Sequence, residues 1–576
     1  MVANIIGAIL IFVLAILLAI PVATLMKKTY NNDKNFLDFM LPLEKLIYKI
    51  CSIDPDKEMD WKKYLSTLLL IQIFWFVFGF VILLIQGRLF LNPAHVPDME
   101  WTLALNSAIS FLTSTNLQHY SGETGATYLS QLSVFMFLQF VSAATSLCAG
   151  VAIVRGLASN ASSSLGNFYN DFIRSCTRIL LPLCIVVAVI FMFNGMPMTF
   201  RGPDQVISLQ GDTTHVALGP VAAMIPIKEF GSNGGGFFGA NSAHPFENPN
   251  FFTFIIHLII ILLLPVAFVF FIGKYLNRKK FSKMLFVVMI LGFIITLIPI
   301  VFNETTGNPH ITSMGISQPM GNMEGKEVRY GGFYSGFYSA VNMIIPAGTI
   351  TGMHESYKPL SAMGMLIGMQ VDSFFGGLGT GWINMFIYLI IAVFIASLMI
   401  GRSPELLGRK VALKEIQIAV VVTILSSAVP LVLTAIACFI FMNYPEGGEA
   451  LGWLINKGPH GFTTMFYEYV SSMAGNGSEF SGLGNNTPYW NLTTCIPMLL
   501  GRFIPIIGAF FIIGSYRTKL YVEPSSGTLK TESYTFGAFL FSVIMILSVL
   551  SMFIVFIIGP IIENCQLQGV VILRKG

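Results

Sequence analysis

Charge is what this chain lacks. Of its 576 residues only 11% are Asp, Glu, Lys or Arg, whereas 54% are hydrophobic, and the mean hydropathy is +0.73. No soluble globular domain of this length carries that balance. The seven cysteines show no metal-ligand spacing, so no chemistry is assigned to them. A Gly-x-x-x-x-Gly-Lys-Ser/Thr phosphate loop and an Asp-Lys-Thr-Gly phosphorylation motif are both missing, which excludes ATP hydrolysis by this chain alone. The first apolar run, Ile5 to Met26, has no cationic start and no small-residue cleavage site, so it reads as a retained span rather than a signal peptide. A net charge of +4, spread over loops, reflects topology and not a nucleic-acid footprint.

What is there is apolar sequence in long runs. About 20 such residues cross a bilayer. Ten runs qualify: the first, then Tyr64 to Gly87, Leu129 to Gly156, Ile173 to Gly195, Phe252 to Gly273, Phe281 to Asn303, Ser361 to Gly401, Ile416 to Met442, Asn491 to Tyr516 and Phe536 to Ile562. Loops after odd-numbered spans hold 23 of the 33 Lys and Arg residues, and the opposite side holds 9. Because positive loops stay cytoplasmic, both termini are expected outside.

Four short polar stretches interrupt this pattern, at Thr113 to Gln118, Gly231 to Gly236, Pro346 to Gly352 and Gly475 to Ser478. Each follows an apolar run too short to span: Trp101 to Leu112, Leu218 to Phe230, Phe333 to Ile345 and Phe462 to Met473. Taking Asn116, Gly234, Gly348 and Gly477 as equivalent points, the steps are 118, 114 and 129 residues, the mark of one unit copied four times. The expected fold is therefore an all-α polytopic membrane protein, with four helix, re-entrant loop, helix units around a central pore and one extra helix at each end. The units divide the chain into 1–63 (first span and cytoplasmic loop), 64–156, 173–273, 281–414 and 416–516 (pore units), and 517–576 (last span).

Non-helical backbone at membrane depth persists only where protein or a water-filled passage satisfies it, so such loops line something. Four helix C-termini aimed at one cavity, each carrying roughly half a negative charge, favour a cation. Glycines such as Gly234 to Gly236 let successive carbonyls point one way, as a filter that replaces a hydration shell requires. Phe237, Phe238, Phe246, Phe251, Phe252, Tyr334, Phe337 and Tyr338 around the loops read as buried packing rather than surface sequence. The Thr-Val-Gly-Tyr-Gly run of tetrameric potassium channels is absent, so one asymmetric, tight site is expected instead of a long single file.

Other residues draw attention by being ionisable or helix-breaking. Asp372 with Gly376, Gly377, Gly379 and Gly381 should break the seventh span in mid-membrane. Arg502, inside the ninth span, needs a partner, and Asp372 is the first choice, as a structural salt bridge or as part of ion passage. Glu123, His244, Glu247, Glu468 and Glu479 read as vestibule or loop-bracing residues. Three functions compete: a translocating subunit of an ATP-driven pump, an autonomous channel or symporter, and a membrane scaffold.

Five motifs separate these alternatives: STNLQHYSGE (Ser114 to Glu123), NGGGFFGANSAHPFENP (Asn233 to Pro249), MHES (Met353 to Ser356), GRSPELLG (Gly401 to Gly408) and NGSEFSGLGNNTPYWN (Asn476 to Asn491). With them the whole chain resembles the potassium-binding A subunits of the bacterial Kdp potassium-transporting ATPases, in the potassium transporter superfamily. The resemblance implies selection of K+ in a filter and sideways delivery to a separate P-type ATPase subunit, with two smaller subunits completing the complex. It implies a filter of Ser114, Thr115 and Asn116, of Ser232, Asn233 and Gly234, of Pro346, Ala347 and Gly348, and of Gly475, Asn476 and Gly477. Gln118 corresponds to a position beside the filter that influences selectivity. Asp372, where the family more often has Glu, and Arg502 correspond to a charged pair near the passage between subunits, and Arg402 to the cytoplasmic segment of the seventh span. The third loop departs from the family's usual Ser, Thr, Gly, and its proline, with no amide hydrogen and a fixed φ, requires a different brace. The alternative left open is an autonomous Trk-like or Ktr-like potassium channel or symporter.

Overall fold

The computed structural model describes residues 1–158, 164–443, 451–521 and 529–569. Arg574 and Lys575, counted above among the outer-side cations, lie outside the described residues. Ten helices among the described residues are long and apolar enough to cross a membrane. They are α1 (Val2–Tyr30), α3 (Trp61–Leu84), α5 (Tyr128–Leu157), α6 (Phe168–Phe193), α8 (Phe251–Tyr275), α9 (Lys279–Thr305), α12 (Thr380–Met399), α13 (Leu413–Asn443), α15 (Pro488–Arg517) and α16 (Tyr534–Leu567). Between them come α2 (Leu41–Ile50), the four short helices α4 (Trp101–Leu112), α7 (Val221–Phe230), α10 (Gly331–Ile344) and α14 (Pro459–Ala474), and α11 (Pro359–Val371).

The helices sort into an outer and an inner ring with fourfold regularity. In the helix before each short helix, α3, α6, α9 and α13, 28%, 39%, 39% and 17% of the most apolar window is buried. In the helix that follows, α5, α8, α12 and α15, the figures are 89%, 78%, 72% and 50%. A helix hydrophobic all round is either lipid-facing or enclosed by other helices; sequence hydropathy alone does not separate the two. Packing does: the second helix of each unit lines the centre. The extra helices lie outside this ring, α1 along α8 and α16 against α9, α11 and α12.

The seventh span is broken as its glycines predict. α11 ends at Asp372, whose φ is +36°, and α12 begins only after Gly379, with φ +80°. A β-carbon on Gly381 would lie 1.8 Å from Gly376 O, and one on Gly379 2.2 Å from Ser146 O, so the chain reverses here in contact with α5. Two small hairpins, Asp204–Ile207 with Thr213–Val216 and Glu405–Leu406 with Arg409–Lys410, complete the described residues. Phe237, Phe238, Phe337 and Tyr338 are buried around the loops, but Phe251 and Phe252 are not. They begin α8 and face outward, because the first turn of this helix lies beyond the packed ring.

Candidate ion-binding site

The four loops close into one ring. The equivalent residues Asn116, Gly234, Gly348 and Gly477 all have left-handed backbone, with φ of +58°, +83°, +66° and +85°. One short-helix carbonyl in each unit, that of Ser110, Lys228, Asn342 or Ser471, accepts from the amide five residues on. The donors are Thr115 (3.0 Å), Asn233 (3.0 Å), Ala347 (3.1 Å) and Asn476 (3.0 Å). These bonds turn the loop amides back into the helix ends and consume orphan carbonyls there.

Each loop then fits against the next. A β-carbon on Gly234 would lie 1.5 Å from Ala347 O, on Gly348 1.9 Å from Asn476 O, and on Gly477 1.9 Å from Thr115 O. Only glycine allows approaches of that kind. The circle closes between loops one and two, where Ser114 Oγ donates to Asn233 Oδ1 at 2.6 Å and Asn116 Nδ2 lies 3.4 Å from the same atom.

Twelve residues anticipated as a filter thus come together. Among the described residues, no hydrogen-bond donor reaches the main-chain oxygens of Ser114, Thr115, Asn116, Ser232, Asn233, Pro346, Ala347, Gly348, Gly475, Asn476 or Gly477. Buried carbonyls are almost always paired. A cluster of unpaired ones at the ends of four helices is a set of acceptors suited to a dehydrated monovalent cation.

The side-chain amides are used for bracing. Asn233 Nδ2 donates to Gln139 O (3.1 Å), Asn476 Nδ2 to Asn342 O (3.0 Å), and Asn116 Oδ1 accepts from Gln139 Nε2 (3.2 Å). Gln118 joins three loops: its Oε1 accepts from Gly236 N at 2.8 Å, its Nε2 donates to Gly236 O at 3.0 Å, and its own amide donates to Glu479 Oε1 at 3.0 Å. Loop three differs. Loops one, two and four have left-handed residues two positions before the equivalent point, at Ser114, Ser232 and Gly475, whereas Pro346 holds that place in loop three. Ala347 supplies no side-chain amide either. Support comes from outside, as Thr349 Oγ1 donates to Glu229 Oε2 at 3.2 Å and Ile350 N approaches Asn241 Oδ1 at 3.5 Å.

Several of these bracing groups escape sequence reasoning. Lys228, counted above as an outer-loop cation, lies inside α7 and is fully buried, with Nζ 2.7 Å from Glu247 Oε2, 3.7 Å from Glu229 Oε1 and 2.5 Å from Asn241 Oδ1. Asn241 Nδ2 in turn donates to Gly234 O at 2.7 Å. An ionisable pair, Lys228 and Glu229, in a short apolar helix was the available signal. Between loops one and four, buried His119 contacts Glu468 at 2.9 Å and Asn491 at 2.6 Å. Burial acts to lower the His119 pKa, but the hydrogen bond and charge of Glu468 raise it above its ordinary value. Burial, helped by the Glu468 charge, pushes the Glu479 carboxyl up to about 7.

Behind the ring lies a cavity of about 30 Å³, lined by Ser114, Ser232, Pro346 and Gly475 together with Thr380, Asp372, Asn384 and Arg502. A second, of about 50 Å³, continues between α11, α12, α13 and α15 and shares Asp372 and Asn384 as its wall. The direct Asp372–Arg502 pair expected from sequence is not formed. Arg502 Nη2 donates to Ser142 O at 2.9 Å and to Ser146 Oγ, while Asp372 Oδ2 accepts from Asn384 Nδ2 at 2.7 Å and its Oδ1 has no donor. The helix break holds the carboxylate on the α12 side, and the polar stripe of α5 captures the guanidinium first. Arg402 lies apart from all of this, beyond the far end of the 20-residue α12, roughly 30 Å along its axis.

Comparison with known proteins shows relatives along nearly the whole chain. The family model described as potassium-transporting ATPase A subunit matches residues 9–565. A "potassium-transporting ATPase potassium-binding subunit" from Flavobacterium psychrophilum is 49% identical over 98% of this chain and 99% of its own length. Its counterpart from Bacteroides thetaiotaomicron is 44% identical over 98% and 100%. The solved structure of the potassium transporter TrkH from Vibrio parahaemolyticus has the same fold, with TM-score 0.50 and 16% identity, over 86% of this chain and 96% of that one.

Proposed function

The chain belongs to the potassium-transporting ATPase A subunit family, and on that premise we propose that it selects K+ in the ring of four loops and hands the ion to a separate P-type ATPase subunit. The observation that carries this reading is the closed ring whose buried main-chain oxygens lack donors. A K+ entering from the side of the short-helix N-termini exchanges water for oxygens of Thr115, Asn233, Ala347 and Asn476 and their neighbours. Interlocked loops cannot shrink around a smaller ion, so Na+ regains less of its hydration energy than K+ does. The N-termini of α1 and α10, the His460 end of α14 and the described end of α16 share this face, which we assign to the outside of the bacterial cell membrane.

Past the ring, the ion meets Asp372 Oδ1 in the first cavity, and the second cavity leads sideways toward lipid-facing α13, where the ATPase subunit and two smaller subunits would complete the complex. Arg502 at the first cavity keeps cations from stopping there. An autonomous Trk-like transporter shares only the fold, at 16% identity, whereas relatives at 43–49% over nearly the full chain carry the ATPase-subunit name.

Proteoliposomes decide the matter. The chain alone, loaded with K+ and given an outward gradient, should pass the ion slowly, and adding the ATPase subunit and ATP should drive uptake. Rapid downhill flux through the chain alone would overturn the pump-subunit reading.

A further inference from the structure

An amphipathic segment between α1 and α3 is built inside out. Asn35 caps a 3₁₀ turn, Phe36–Met40, which runs directly into α2. Phe36, Phe39, Leu43, Leu46 and Ile50 recur at intervals of three and four, so they share one face. That face is the exposed one, with relative exposures of 76%, 65%, 42%, 53% and 72%. The polar face is turned inward. Glu44 is fully buried and grips Arg178 of α6 with both oxygens, at 2.6 and 2.8 Å. Asp38 takes the remaining guanidinium edge at 2.8 Å, Thr177 Oγ1 donates to Glu44 at 2.9 Å, and Tyr48 OH donates to Asn170 Oδ1 at 2.7 Å.

A bare apolar stripe of this kind is unstable in water. Its depth supplies the solvent. From Ile179 to Phe193 helix α6 is apolar, roughly 22 Å of rise, which is less than the ~30 Å hydrocarbon core. Arg178, and α2 clamped to it, therefore lie at the acyl–headgroup boundary rather than out in the cytoplasm. The cations agree. Between Lys34 and Ile50 the two acids, Asp38 and Glu44, are both engaged by Arg178, which leaves Lys34, Lys45 and Lys49 exposed beside the stripe. Both neighbouring spans, α1 and α3, are themselves lipid-facing.

We propose that Phe36–Ile50 is an interfacial anchor, with its apolar stripe in the acyl region of the inner leaflet and Lys34, Lys45 and Lys49 on the phosphates of anionic phospholipids. The inner leaflet follows from the cation distribution that places this loop in the cytoplasm. Through Arg178 the anchor fixes the base of the helix that opens the second pore unit.

The test uses the full chain, with exposed Cys51 replaced, in phosphatidylcholine vesicles with and without phosphatidylglycerol. A nitroxide is attached singly to Leu46→Cys, Lys45→Cys or Lys57→Cys. At position 46 the label should collide with oxygen in preference to a water-soluble nickel chelate, and at 57 the preference should reverse, with 45 between them. Equal nickel access at 46 and 57 would overturn the anchor. So would a label at 46 shielded from both reagents in the assembled complex, because a protein partner would then be the occupant. For the charges, the triple variant K34Q/K45Q/K49Q should lose roughly fivefold or more of the preference for spin-labelled phosphatidylglycerol over phosphatidylcholine. An unchanged preference removes the anionic headgroup from the proposal.

Discussion

At Gly234 a hydrogen atom is all the space permits, and the nearest obstacle is the carbonyl oxygen of Ala347 on the next loop. Gly234→Ala must push loops two and three apart, in strained left-handed backbone as well. The half-saturating K+ concentration should rise about tenfold or more, equivalent to ~1.4 kcal/mol, with assembly kept, as measured by Rb+ binding to the purified complex. Asn241→Ala removes the donor to Gly234 O without touching the ring, so a smaller shift in the same direction is expected. Unchanged affinity in both would detach the loops from ion binding. Lys228 is a poorer probe, because its removal leaves Glu247 buried and unpaired, at a cost of about 3–5 kcal/mol.

Among elements, the helices were largely legible and their enclosure was not. Length and hydropathy place each span, because the bilayer demands a fixed rise of apolar helix. The break between α11 and α12 follows from glycines at Gly376, Gly377, Gly379 and Gly381. By contrast, hydropathy does not say that α5 is enclosed and α3 faces lipid, since both are apolar enough to span; the polar stripe of Gln139, Ser142, Thr145 and Ser146 on α5 was the local signal. Loop three shows the same division: Pro346 foretells a lost brace, but its replacement by Glu229 and Asn241 of unit two is visible only in space.

One clamp between elements has a defined pH dependence. His460, at the start of α14, bonds Glu355 at 2.8 Å and Glu563 of α16 at 2.7 Å. Burial acts to lower the His460 pKa, but its two carboxylate hydrogen bonds raise it from 6.5 to about 10. Burial raises and the His460 hydrogen bond lowers the Glu355 pKa, with a net fall from 4.5. The histidine contribution is complete below its unfolded value of 6.5 and is lost as pH rises toward 10. The Glu355 contribution is present above 4.5 and lost on acidification. Melting temperature should therefore fall between pH 6.5 and about 10 more steeply in the parent chain than in His460→Gln. Parallel slopes would mean that the clamp contributes nothing.

For the whole molecule the question is how an ion bound in this chain is felt by a catalytic subunit elsewhere. Asp372 and Arg502 face the same cavity without pairing, so the free Asp372 oxygen is open to a cation there while Arg502, held by Ser142 and Ser146, repels it. In the assembled complex, Asp372→Asn should cut K+-stimulated ATP hydrolysis about tenfold, ~1.4 kcal/mol, while Rb+ binding changes little. If stimulation survives loss of both side chains, the passage does not run through this cavity.

By itself the sequence determined that the chain lives in a bilayer, how many times it crosses, that one unit is repeated four times and which residues turn back at each loop. Those properties depend on residue type and on separation along the chain. The tertiary structure alone decided that the four loops interlock in cyclic order, that Lys228 and Asn241 stand behind Gly234, and that Arg502 reaches Ser142 and Ser146 instead of Asp372. The first and last join residues more than a hundred positions apart, and the second folds a loop back over its own helix end; none follows from residue type, and only packing selects among the partners.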